Sequence, residues 1–131
     1  MLFRSAKVAS QCSKYYNKVK NAKDDIERLL QEIERLRLTL GEVQSLCDGP
    51  NGAKLQSSQN LRNGIKDCEK QLAQLEIKLE PRSMSRLGWR ALTWPFKSNE
   101  MEVIMKKLGK CKDSISLSLQ VDQAYVILCI F

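Results

Sequence analysis

One seam constrains this chain more than anything else in it. Between Asp24 and Cys47 the apolar residues Ile26, Leu29, Ile33, Leu36, Leu40, Val43 and Cys47 recur at alternating steps of three and four. The mean step of about 3.5 draws a single narrow apolar line down an α-helix. Glu27, Arg28, Glu32, Glu34, Arg35 and Arg37 fill the other faces and are expected in water. A second stretch, Leu61, Ile65, Cys68, Leu72, Leu75 and Leu79, repeats the rhythm. Between the two lies Asp48-Gly49-Pro50-Asn51-Gly52, a cluster of strong helix breakers. Two striped helices joined by a short turn fold back, because neither buries its stripe alone. The expected fold class is therefore all-α: a four-helix bundle with a long antiparallel helical hairpin, 24–47 and 53–80, at its centre, and helices 3–20 and 99–123 packed on it.

The flanking helices are read from looser signals. Phe3, Ala6, Val8, Ala9, Cys12, Tyr15, Tyr16 and Val19 form the first stripe, which starts almost at Met1 with no cap. Asn21 to Asp24 is either a break, with Asn21 capping the next helix, or a bend in one longer helix, since neither Gly nor Pro interrupts it. Asp24 and Asp25 suit the positive end of the helix that follows. Gly41 inside the main helix suggests close approach of a neighbouring backbone, and Gly64 is a second interior weak point. Pro81 ends the third helix, because it disfavours helical geometry at Glu80. The fourth helix starts at Ser98 or Asn99, and Asn99 followed by Glu102 resembles a capping box. Met101, Ile104, Leu108, Cys111, Ile115 and Leu119 then carry the last stripe. Residues 1–123 are read as the bundle and 124–131, Ala-Tyr-Val-Ile-Leu-Cys-Ile-Phe, as an apolar tail. That tail is too short to span a bilayer. It is either a continuation of the last helix or the wrong end of a reading frame.

Charge and composition narrow the chemistry. The chain holds 22 basic and 15 acidic residues and no histidine, a net charge of +7. Such an excess favours anionic partners. Residues 1–23 and 81–98 contain bases and no acid, whereas 24–48 hold seven acids against three bases. Without histidine there is no Ser-His or Cys-His nucleophile pair and no histidine metal ligand. No phosphate-binding Gly-rich loop occurs, and the 48–52 turn lacks the alternating acids of a calcium site. No catalytic, metal or cofactor residue is assigned. Cys12, Cys47, Cys68, Cys111 and Cys129 show no Cys-x-x-Cys spacing and are read as reduced thiols of a cytosolic protein.

Two basic blocks remain as candidate surfaces: Lys7, Lys14 and Lys18 in the first helix, and Arg82, Arg86, Trp89, Arg90, Trp94 and Lys97 in the connector. Basic residues beside interfacial aromatics suit an anionic membrane surface, bound peripherally. A protein-only coiled-coil adaptor is the alternative, and nucleic-acid binding is the weakest reading, because no recognised motif accompanies the charge. The connector, with Leu87, Trp89, Leu92, Trp94 and Phe96, also reads as a lid across the end of the bundle or as a solvated linker.

Several phrases point further. "KNAKDDIERL", "GPNGAKL", "RALTWPFKS" and "SLSLQVDQ" occur in that order, across roughly residues 8–123. Together they resemble the N-terminal domain of fungal STAND proteins, the NLR-like receptors with a central nucleotide-binding domain and C-terminal repeats. The resemblance implies a HeLo-like helical bundle that serves as the receptor's output module and clusters when the receptor oligomerises. In some members of the wider class such domains act on membranes in regulated cell death. Its implied partners are thus other protein chains, through self-association or a receptor oligomer, and an anionic membrane. Family members carry more apolar sequence before the position matching Ala6 and continue past Val121-Asp122-Gln123 into further domains. The chain therefore reads as a standalone remnant of such a receptor, truncated at its N-terminus, or as an incompletely predicted gene product.

Overall fold

The seam folds as its spacing dictates. The computed structural model describes residues 2–50, 52–56, 58–80 and 94–130, with side chains for 4–50, 52–55, 58–80 and 94–121. Five helices occur among them: α1 Leu2–Lys18, α2 Lys23–Cys47, α3 Gly52–Gln56, α4 Gln59–Leu79 and α5 Ser98–Ile130. Of the α2 seam, Ile26, Leu29, Ile33, Leu36, Leu40 and Val43 are buried and Cys47 is half-buried. Leu61, Cys68, Leu72, Leu75 and Leu79 of α4 join them in one core, with Val8, Cys12 and Tyr15 of α1 and Met101, Leu108, Cys111, Ile115 and Leu119 of α5. All four stripes thus meet in a single all-α bundle. Phe3, Cys129 and the rest of the tail's side chains lie outside the described residues.

The order of helices around the bundle follows from who touches whom. α1 packs on α2 and α4, and α5 packs on α4 and α2. Tyr16 at the end of α1 donates to Glu27 at the start of α2, at 3.4 Å, so these two run antiparallel. Arg4 and Lys7 pair with Glu76, and Tyr15 donates to the Leu79 carbonyl at 2.8 Å, so α1 and α4 run parallel. Gly64 abuts Ile115, and Leu75 shares a hollow with Ile104, so α4 and α5 are antiparallel. The result is an up-down-up-down bundle. The two long helices α2 and α4 do run antiparallel, as the hairpin predicts, but they stand at diagonal corners and share the core from opposite sides. Between them α3 fills the corner where α2, α4 and α5 meet and buries Leu55.

Some local expectations need correction and others hold. The third helix is not continuous over 53–80: it breaks after Gln56, and Ser58 caps α4 by accepting a hydrogen bond from the Leu61 amide at 3.3 Å. A serine hydroxyl competes with the backbone for its own amides and so favours a fresh start over continuation. α2 does not take Asn21 as its cap. Ala22 holds that position with no side-chain hydrogen bond, and Asp24 and Asp25 in the first turn supply the negative charge instead. α1 ends at Lys18, so the 19–22 stretch is a break, steadied by the Lys23 ammonium 4.8 Å over the Tyr16 ring. α5 starts at Ser98, and Glu100, not Glu102, reaches back to accept from the Lys97 amide at 3.3 Å. That is the return half of a capping box, two residues earlier than expected. α5 also runs on past 123 to Ile130. At the other junction Glu80 is extended (φ −70°, ψ 128°), as a residue before proline should be.

Two glycine expectations trade places. A Cβ on Gly41 would meet nothing within 4 Å, so no backbone approaches there. The close approach is at Gly64, where a Cβ would lie 3.2 Å from Ile115 Cγ1. Gly52 is required by the turn itself, since any Cβ would overlap the Cys47 carbonyl. Glu32, expected in water, is only 6% exposed, because Lys112 of α5 and Arg35 cover it with Nζ and Nη1 at 3.6 and 3.1 Å from its oxygens.

Candidate interaction surfaces

Three surfaces are built by these helices. The first is the end of the bundle where α1 stops and α5 starts. Trp94 meets Tyr15 edge-on, with ring centroids 5.3 Å apart, and Phe96 likewise at 5.2 Å. Phe96 is buried, and the Lys78 ammonium sits 5.8 Å from its ring centre. The 94–97 stretch of the connector is thus a lid over this end. Its Trp94 indole N–H is buried and finds no acceptor among the described residues. Tyr15 is held protonated to higher pH than usual, first by burial and then by Cys12.

Lys14 and Lys18 flank Tyr15 on α1 and are exposed, as is Lys97 after the lid. So Lys14, Lys18, Trp94 and Lys97 are brought to one end of the molecule, with the Trp94 ring turned into the lid. Lys7 is not part of this group. It lies two turns away and is tied to Glu76. Arg82, Arg86, Trp89 and Arg90 lie outside the described residues.

The second surface is the α1–α4 edge, where ions close the seam. Arg4 bridges Glu69 and Glu76, the latter at 2.9 Å, and Lys7 reaches Glu76 at 2.7 Å. Gln11 adds a 3.4 Å bond to the Glu76 carbonyl. The Lys7 hydrogen bond holds the Glu76 carboxyl below the usual carboxylate range, and Lys7 is raised in return. The sequence gives bases on one helix and acids on another, but the pairing depends on which helices become neighbours.

The third surface is the α4–α5 edge, which sequence reasoning missed. Val103, Leu117 and Val121 of α5 are 51, 62 and 56% exposed. Two hollows run along this edge. One, of about 210 Å³, has Leu75, Ile104 and Leu108 in its floor and Lys78, Glu100 and Lys107 on its rim. The other, of about 310 Å³, is framed by Asn63, Gly64 and Asp67 of α4 and by Ser114, Leu117 and Val121 of α5. The available signal was a second set of apolar positions on α5, offset from the core stripe and broken by lysines.

The described cysteines are packing residues. Burial pushes the Cys12 thiol up to about 12, and Cys68 and Cys111 are raised for the same first reason while sharing a hydrogen bond across α4 and α5. Cys12, Cys47, Cys68 and Cys111 are all unbridged. Among the described residues no group of three or more acids or cysteines is placed to hold a metal, and no helix is long and apolar enough to cross a membrane. Comparison with protein-family models, curated proteins and solved structures finds no match.

Proposed function

We propose that this chain is a non-enzymatic self-association and signalling domain, of the kind that fungal STAND receptors carry at their N-termini. The observation that supports it best is the α4–α5 edge, where Val103, Leu117 and Val121 stay in water while the stripes beneath them are buried. Leu38 and Ile77 are also exposed; what the α4–α5 edge adds is two hollows beside its exposed apolar residues, a shape suited to a protein contact. The phrases shared with the receptor family give the contact its sense: an output module that acts when copies are brought together.

A membrane role in regulated cell death is the second part of the reading. Its support is the end of the bundle where Lys14, Lys18 and Lys97 surround the Trp94 lid. Basic residues around an aromatic cluster attract anionic headgroups. The coiled-coil adaptor without a membrane role remains the competing reading, and one pair of experiments separates them. Sedimentation of the purified chain over a concentration series should show reversible association. Pelleting with anionic and neutral vesicles, beside an Arg86→Glu, Arg90→Glu, Lys97→Glu variant, should show binding only to anionic vesicles and only by the parent. Association with equal, negligible pelleting in every arm would leave the adaptor. A chain that stays monomeric throughout would remove self-association.

A further inference from the structure

We propose that the occupant of the α4–α5 edge is a second copy of this chain, docked antiparallel with α5 against α5 across a two-fold axis beside residue 112. This rests on the self-association reading above and adds the surface and the geometry.

The argument is self-complementarity. A two-fold dimer joins one patch to itself, so every feature of the patch must find its partner in the reversed copy. Along the outer face of α5 the residues Val103, Lys107, Lys110, Ser114, Leu117 and Val121 recur at steps of four and three. Reversing this line about residue 112 sets Val103 against Val121, Lys107 against Leu117 and Lys110 against Ser114 of the other copy. The exposed apolar residues at both ends are then covered, and the Lys107 methylene stem lies along Leu117.

The charges fit the same register. Asp67 of α4 frames the hollow that also holds Ser114 and Leu117. Lys110 of one copy, opposite Ser114 of the other, therefore arrives beside that copy's Asp67, and Lys107 follows one turn away. The described ion pairs do not engage Lys107, Lys110 or Asp67, and all three are exposed. A parallel arrangement would instead set lysine against lysine and acid against acid. With a net charge of +7 on each copy, association needs such matched pairs. The contact spans 103 to 121, roughly 27 Å of helix, which suits a reversible dimer.

The test is sedimentation equilibrium of the full chain and three variants at high micromolar concentration, each checked for native helicity. Leu117→Glu is first. Its side chain is 62% exposed, so the fold does not depend on it, and it should weaken dimerisation about tenfold or more. Lys110→Glu alone should weaken it as well. Lys110→Glu combined with Asp67→Lys should restore it toward the parent, because the exchanged charges meet across the axis. Association of the parent that Leu117→Glu leaves unchanged, or a double exchange no better than Lys110→Glu alone, would overturn this surface while self-association stands. A parent chain that never associates would overturn both.

Discussion

The two edges of α4 are finished in opposite ways. Toward α1 the helix offers Glu69 and Glu76, and Arg4 and Lys7 close over them. Toward α5 it offers Gly64 and Asp67, and the edge stays open beside exposed Leu117 and Val121. Both edges cover the same buried line of Cys68, Leu72, Leu75 and Leu79. The closed edge shows how a marginal seam is shut with ions. The open one shows apolar surface that the core did not need, and a helix of 33 residues against a 21-residue neighbour carries it.

The contrast can be broken most strongly with one residue type in two settings. Leu72→Ala leaves a cavity under both edges and should cost about 2–5 kcal/mol. Leu117→Ala on the open edge should stay within about 0.5 kcal/mol of the parent. Urea unfolding of the two variants reads the difference directly, and equal losses would mean that Leu117 is part of the core.

Glycine substitution sharpens the packing beneath the open edge. Gly41→Ala meets empty space and should gain about 1 kcal/mol from helix propensity. Gly64→Ala pushes into Ile115 and should gain nothing or lose up to about 2 kcal/mol, since overpacking offsets the same propensity. Thermal midpoints should move in opposite directions or differ clearly.

The closed edge has a pH signature. The Glu76 carboxyl titrates below its unfolded range, so its contribution is present above that range and fades as pH falls through the depressed folded value. Glu76→Gln should flatten the acid side of the stability curve. At neutral pH it should cost no more than about 1 kcal/mol, because Arg4 and Lys7 are partly solvated. The thiols carry a second pH signature. Cys12, raised from 9.0 to about 12 by burial, should resist alkylation at pH 8, while half-buried Cys47 reacts first among the described cysteines. Because folding keeps the Cys12 thiol protonated, stability should also decline as pH rises from 9.0 toward about 12.

Much of the fold was legible because a stripe is a property of one helix. The seams of α2, α4 and α5 could be written residue by residue, and Pro81 fixed the end of α4. What escaped depends on neighbours. That α2 and α4 stand diagonally, that Glu32 lies beneath Lys112 and that Gly64 rather than Gly41 is the tight spot all require knowing which helices touch. Ser58 escaped because a serine signals a cap only when the chain turns there. Of the basic candidates, Lys14, Lys18, Trp94 and Lys97 do share an end, whereas the role of Lys7 as a clasp is invisible without Glu76 beside it. The exposed line of α5 was hidden by its lysines.

Zero-length carbodiimide crosslinking, read by mass spectrometry, tests the arrangement of helices most directly. Lys7 should join Glu76, linking α1 to α4 across 2.7 Å, and Lys112 should join Glu32, linking α5 to α2 across 3.6 Å. Links between α2 and α4, such as Glu42 to Lys66, in place of those two pairs would contradict the diagonal bundle and the open edge that follows from it.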